Sequence, residues 1–263
     1  MSCTAVIAVT LVGSAAALAA ARLQPEAAMA WNGFVTTIET RIKGELQAPN
    51  GFLALDFTPD AAEARRTLLS GELVVEQMSG PALGAPSSHA EHWRGAVFIQ
   101  GASAMRIVDG LEQGPPPSED VVRSTVLDRG PGWMEVSMRL RRKAVLTVVY
   151  DTDHIVTFTR ESATRATSTS KAIRIVEVAD ADTPQEHVVP ASDDRGFLWR
   201  LNAYWRYQDV VGGAIVECES ITLSRDVPLV VRFLVNSIVE RTARESITRT
   251  LIAMRTRFAQ RGA

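Results

Sequence analysis

Cysteine is nearly absent from this sequence. Its two cysteines lie far apart, Cys3 at the extreme N-terminus and Cys218 in a stretch with strand character. That excludes a disulfide framework, and Cys218 reads as a small apolar core residue. As a nucleophile it would need a histidine base, and none is close in sequence. An excess of charge of one sign is also missing. Twenty-eight basic against 30 acidic residues leave a net charge of -2 and a pI near 6.1, which argues against a nucleic-acid surface. The one basic run, Arg139-Leu140-Arg141-Arg142-Lys143, reads as the solvated face of a strand. There is no phosphate-cradling glycine loop, no Gly-x-Ser-x-Gly elbow and no His-Glu-x-x-His pair. Nucleotide, serine-hydrolase and zinc-protease chemistry thus have no motif to rest on, and no internal repeat is visible.

Histidine is scarce too, with four in the chain. His89 and His92 flank Glu91 in a segment that reads as a loop, and His154 closes Asp151-Thr152-Asp153, which reads as a polar turn between strands. Metal binding at the His89/His92 pair would need a third ligand such as His154 or Asp153. The spacing alone does not supply one, so no metal, cofactor or catalytic residue is assigned.

Long apolar runs are limited to one. Ala5 to Ala21 is uncharged and ends in Ala19-Ala20-Ala21 before Arg22. This predicts a signal peptide over residues 1–21, cleaved near Ala21, and export to the periplasm or beyond. The alternative is an uncleaved N-terminal anchor, since no basic residue precedes the run. No second segment is long enough to span a bilayer, so the mature chain is expected to be free of a stable membrane span.

What is present is an ordinary share of apolar residues, 46% of 263, enough for a sizeable core. Residues 26–47 carry Trp31, Phe34, Val35, Ile38, Ile42 and Leu46 at helical spacing, ended by Pro49-Asn50-Gly51. Thr58-Pro59 predicts a cap and first turn for a helix over 61–69. Strands are predicted over 72–78 and 93–100, then a helix from Ala104 capped by Ser103, with Met105, Val108 and Leu111 on one face. A run of strands follows at 121–128, 133–142, 144–150, 154–161 and 171–179. In the second of these Met134, Val136, Met138 and Leu140 alternate with polar residues. The acidic segment 180–195 reads as an exposed loop, either a pocket cover or an insertion.

The last third is the most informative. Strands 197–208 and 214–223 form a hairpin around Val211-Gly212-Gly213. With Tyr207 opposite Ala214, the predicted pairs are Trp205 with Val216, Ala203 with Cys218 and Leu201 with Ser220. Trp199, Leu201, Ala203, Trp205 and Tyr207 then share a face with Val216, Cys218 and Ser220. Arg200 and Arg206 meet Glu217 and Glu219 on the other face, read as surface ion pairs, with ligand anchoring as the alternative. After Pro228 a helical region follows, with a break predicted where Thr242-Ala243-Arg244-Glu245 shows capping-box spacing. Ile247, Leu251, Met254 and Phe258 then form an apolar stripe.

These segments, from Trp199-Arg200-Leu201-Asn202-Ala203-Tyr204-Trp205-Arg206-Tyr207 through Val216 to Pro228, resemble the end of a START-like helix-grip protein. That superfamily includes polyketide cyclases and lipid-transfer domains, and the likeness is to uncharacterised exported bacterial members. It implies an α+β fold: a curved antiparallel sheet wrapped around a long C-terminal helix, here residues 72–263, with an N-terminal helical extension over 22–71. It carries over no catalytic residue. It implies a cavity between sheet and helix, used by relatives for sterols, phospholipids, polyketides or plant hormones. The lining expected here is Met138, Trp199, Leu201, Trp205, Tyr207, Val216 and Cys218 from the sheet, and Ile247, Leu251 and Met254 from the helix. The expected partner is a hydrophobic small molecule, lipid, sterol or polyketide-like, held by a non-catalytic binding protein. The alternatives are a cyclase or hydratase using the same pocket, and a pocketless scaffold. A carboxylate beside an arginine or histidine in the pocket would favour the enzyme, and a wholly apolar pocket the carrier.

Overall fold

The computed structural model describes residues 22–78, 83–85, 88–143, 147–225 and 229–259, with the backbone alone over 229–240. The apolar run read as a signal peptide lies outside the described residues, as does most of the Ser79–Ser88 loop. The side chains at the start of the C-terminal helical region are likewise outside them. In chain order the elements are α1 (Pro25–Gln47), a 3-10 turn (Ala54–Phe57), α2 (Ala61–Leu69), β1 (Val74–Gln77), β2 (Ser88–Gln100), α3 (Ala104–Leu111), β3 (Val121–Gly130), β4 (Trp133–Lys143), β5 (Thr147–Ser162), β6 (Arg165–Ala179), β7 (His187–Val188), β8 (Arg200–Val210), β9 (Gly213–Arg225) and α4 (Leu229–Phe258).

The nine strands make one curved, unclosed sheet in the order β1-β2-β9-β8-β6-β5-β4-β3, with β7 beside β6 and every pair antiparallel. Period-two alternation gives each strand an inner and an outer face. The inner face carries Val97, Ile99, Met134, Val136, Ala214 and Val216, and α4 lays Ile247, Leu251, Met254 and Phe258 against it. This is a helix-grip arrangement, a curved antiparallel sheet with a long C-terminal helix laid across its inner face. The contact is close because β2 has a glycine beneath the helix: a Cβ on Gly95 would come within 2.7 Å of Leu251 Cδ1 and 3.2 Å of Ile247.

The outer face is not left to solvent. α1 starts with Pro25 in its first turn and buries Ala27, Trp31, Phe34 and Ile38, an i, i+4, i+7, i+11 stripe that suits a single helical face. The stripe packs on Tyr204, Ile221 and Leu223 of the hairpin. Phe52, Leu53, Leu55, Ala64 and Leu68 of the following turns pack on Ala96 and Ile215. The helix over 61–69 forms as predicted, but its cap position is Asp60, and the Thr58 hydroxyl donates to the Leu55 carbonyl (2.8 Å) instead. Ser103 does cap α3, accepting from the Arg106 amide at 3.3 Å, while Asp209 accepts from the Ala104 amide at 2.6 Å.

Five expectations need correction. The polar tetrad Asp151–His154 is not a turn but the middle of the 16-residue β5. Alternation absorbs it: Asp151 pairs outward with Arg139 and Asp153 with Arg174, while Thr152 and His154 point inward among buried neighbours. His89 and His92 lie within β2 rather than in a loop. The hairpin register is displaced by two, with Tyr207 opposite Val216, Trp205 opposite Cys218, Ala203 opposite Ser220 and Leu201 opposite Thr222. The strands run on to Val210 and Gly213, leaving a two-residue turn with Gly212 at a φ of 85°, and an even shift keeps every side chain on its face. α4 is unbroken from Leu229 to Phe258, and Glu245 pairs with Arg249 one turn on rather than capping a new helix. Finally, Trp199 precedes β8, so strand alternation no longer governs it, and its ring joins Trp31 and Phe34 on the outer side.

Candidate ligand-binding cavity

Between the inner face and α4 the side chains do not meet everywhere. They leave a cavity of about 240 Å³. β4 supplies Met134, Val136, Met138 and Leu140, β5 supplies Val156 and Phe158, and α4 closes the far side with Ala243, Ile247 and Met254. Pro115 and Pro116, in the connection from α3 to β3, stand at one end.

Seven of the ten residues expected to line a pocket do so: Met138, Leu201, Trp205, Tyr207, Cys218, Ile247 and Met254. Three do not. Trp199 is on the outer side of the sheet. Val216 is opposite Val97 in the ladder and is fully buried in the packed core. Leu251 rests on Gly95, where helix and sheet touch and no space remains. Trp205 and Tyr207 stack with ring centroids 6.4 Å apart and planes 5° from parallel. Their 205/207 spacing on one strand face makes this possible.

The walls are not wholly apolar. His154, taken for part of a turn, lines the cavity and is 2% exposed. Its Nδ1 lies 3.1 Å from Ser170 Oγ and its Nε2 3.1 Å from Thr152 Oγ1. Burial pushes this imidazole down to about 4, against a smaller opposing pull from Asp153. Ser168 Oγ stands 2.9 Å from Tyr207 Oη, and burial raises the Tyr207 phenol so that it keeps its proton. Burial, then the nearby Glu219 and Glu217, push the Cys218 thiol well above its ordinary range, so it is not a thiolate nucleophile. At one end Asp120 is held by two arginines, Arg142 Nη1 to Oδ2 at 3.2 Å and Arg249 Nη1 to Oδ1 at 2.9 Å. The strand period could have flagged His154, Ser168 and Ser170, since each shares parity with apolar inner neighbours. Asp120 carries no such signal.

The charged set of the hairpin is neither a surface nor a ligand anchor, with Arg200 the exception in being exposed. Arg206, Glu217 and Glu219 are buried on the outer face, beneath α1 and the 3-10 turn. Glu217 accepts from the Ala54 and Leu55 amides (2.5 and 2.9 Å). Burial pushes its carboxyl up, while Arg206 and those amides pull it back. Arg206 donates to the Phe52 carbonyl (2.8 Å) and to Glu45 (2.5 Å). Glu219 meets Arg41 and also His92 Nε2, the latter at 2.7 Å. Burial pushes the Glu219 carboxyl up, yet His92 and Arg41 together leave it below the usual range. The Arg139 run is likewise paired: Arg139 holds Asp151 and Glu186 through bidentate bonds of 2.8–2.9 Å. This ties the acidic segment to the outer side, and none of its residues lines the cavity.

No protein-family model matches this chain, and no curated protein matches it. Solved structures similar to it include a STAR-related lipid transfer protein from Xanthomonas axonopodis, 18% identical over 70% of this chain and 92% of that one, with a TM-score of 0.49. Human StAR-related lipid transfer protein 5 is 10% identical over 87% and 98%, at a TM-score of 0.40. An aromatase/cyclase from a Streptomyces species is 14% identical over 66% and 100%, at 0.39.

Proposed function

We propose that this protein binds a hydrophobic small molecule in the cavity between sheet and helix, as a non-catalytic carrier or sensor. The observation that carries this reading is the void itself, walled by methionine, valine, leucine and aromatic side chains where a helix-grip scaffold could have closed its core. Such concave, mostly apolar spaces with a few convergent polar groups suit small ligands. The cavity does hold a carboxylate beside an arginine, the feature expected of an enzyme. However, each Asp120 oxygen is engaged by a guanidinium, so this carboxylate is held in a structural ion-pair cluster rather than presented to a substrate. Native mass spectrometry and solvent extraction of the purified protein test the proposal. A co-purifying apolar compound, or saturable binding of the neutral dye Nile red, supports it. Empty spectra together with no dye binding overturn it.

A cyclase or hydratase is the second reading, favoured by one observation: the Ser170 hydroxyl and the His154 imidazole form a hydrogen-bonded pair facing the void, as a nucleophile and base would. Against it, His154 is a weak base oriented by a neutral threonine. Turnover of a co-purified ligand, lost in Ser170→Ala, would decide for the enzyme. Export belongs to the same proposal, through the apolar run before Arg22. N-terminal sequencing of protein recovered from cells tests it: a start near Arg22 supports export with cleavage, and an intact start refutes cleavage.

A further inference from the structure

The sheet forks along one side of the cavity. β6 and β8 pair from Arg165 with Gln208 to Lys171 with Asn202, and there their ladder ends. The remainder of β6, up to Ala179, stays with β5 and β7, while the first residues of β8 stay with β9. The parting coincides with a bulge: Ala172 and Arg174 of β6 face consecutive residues of β5, and Ile173 is the extra residue between them. Such a bulge bends its strand and raises the local twist. The cavity reaches this fork, since Ser170, its ladder partner Ala203, and Leu201 all line it.

An irregular strap, Asp194 to Trp199, fills the fork and leads into β8. It is anchored on the outer side at both ends, by Glu186 on Arg139 before it and by the Trp199 ring beside Trp31 and Phe34 after it. Between these anchors it dips inward. Arg195 reaches Glu177, which is opposite Tyr150 in the ladder and 1% exposed. Its Nε donates to Oε1 at 2.6 Å, and Nη2 bonds the same oxygen. Gly196 turns the chain at a φ of 73°, a conformation that suits glycine, and its carbonyl accepts from the Arg225 amide at 2.7 Å. Phe197 and Leu198 then pack with Leu140, Tyr150, Ile175 and Leu201. Leu140 and Leu201 are also cavity wall, so the two strap residues stop the fork directly behind it.

This stopper is lightly held. Phe197 and Leu198 are only half-buried, and the strap joins no ladder. The Tyr150 hydroxyl in the same cluster is buried without a partner among the described residues, which costs free energy in the closed arrangement. By contrast, α4 is tied along its C-terminal half. Arg249 bonds Asp120 at 2.9 Å, Arg255 the Gly71 carbonyl at 2.8 Å, and Arg257 the Gly110 and Gly114 carbonyls at 2.7 and 2.8 Å. Segments that open are drawn from the parts with the fewest such ties.

We infer that the fork between β6 and β8 is a side door of the cavity, with residues 194–199 as its strap and the Arg195–Glu177 pair as its clasp. A ligand passes Phe197 and Leu198 when the clasp opens, while the C-terminal half of α4 stays in place. This rests on the ligand-binding reading above and concerns the route and its rate. The test is stopped-flow measurement of Nile red association and dissociation. Glu177→Gln exchanges a charge-assisted contact for a neutral one of the same shape. Both rates should rise about tenfold, the effect of one such bond, with Kd changed less than about twofold. Gly196→Ala strains the strap at its left-handed turn without touching the buried carboxylate. It should speed both rates in the same way, and it decides the matter if Glu177→Gln does not fold. Arg257→Ala, which loosens α4, should leave both rates as they are. Unaltered rates in the strap variants, a rise in dissociation alone, or faster exchange in Arg257→Ala overturns the door and leaves the ligand-binding reading standing. Failure of Nile red to bind the unaltered protein sinks both.

Discussion

His154 sits where a proton would be unwelcome, among hydroxyls and apolar side chains. Its imidazole is held at about 4 against an ordinary 6.5, so between these values the unfolded chain binds a proton that the folded chain refuses. The stability linked to this residue is complete above about pH 6.5 and drains away as pH falls towards 4. The slope approaches about 1.4 kcal/mol per pH unit. Urea midpoints followed from neutral pH down to about pH 4 should fall, and fall less steeply in His154→Gln; parallel curves would refute the assignment. Glu217 makes a harsher case. Glu217→Ala leaves the Ala54 and Leu55 amides without their buried acceptor, and a loss of about 1–3 kcal/mol for each amide is expected in urea unfolding. Two glycines differ in kind. A Cβ on Gly213 would lie 2.2 Å from the Ile99 carbonyl oxygen, whereas one on Gly95 meets only side-chain ends. Gly213→Ala should therefore lower the unfolding temperature more than Gly95→Ala, and part of the Gly95→Ala loss should be absent in a Leu251→Ala background.

At the scale of elements, α1 is the back cover of the sheet rather than an appendage. It supplies Arg41 and Glu45 to Glu219 and Arg206, and Trp31, Phe34 and Ile38 to the apolar layer. A chain shortened to begin after Gln47 should lose its cooperative thermal transition. A sharp transition near the original temperature would show that the cover is dispensable. The helix itself was legible, because an apolar stripe at 3.6-residue spacing is a local signal. What it covers was not. Arg206, Glu217 and Glu219 alternate with Tyr207, Val216 and Cys218 as a solvent face would, and alternation tells which face a residue is on, not whether that face is wet. β5 was split for the converse reason: Asp151-Thr152-Asp153 has turn composition, and only partners on other strands make it tolerable inside a ladder. The capping-box spacing at Thr242 misled because it works only where the backbone leaves the helix.

For the whole molecule, the order of strands and helices and the seven lining residues followed from pattern plus resemblance. The polar part of the cavity did not, since it is assembled from β5, β6 and β8, which meet only in the fold. A variant that fills the void, such as Ser220→Phe, should keep the sheet's circular dichroism and lose Nile red binding. Undiminished binding would move the site elsewhere.

The pairing of β2 with β9 joins Ser88 to Arg225 and Gln100 to Gly213, across about half the chain. This pairing lies beneath α4, close to the β1 edge of the sheet. It sets the contact order high, and folding should fall in the slow range of milliseconds to seconds typical of non-local sheets. On a ribosome or a translocon the consequence is directional. Until the last strand emerges, β2 has an open edge with its apolar faces uncovered, and the half-made protein is a substrate for chaperones rather than a folding domain.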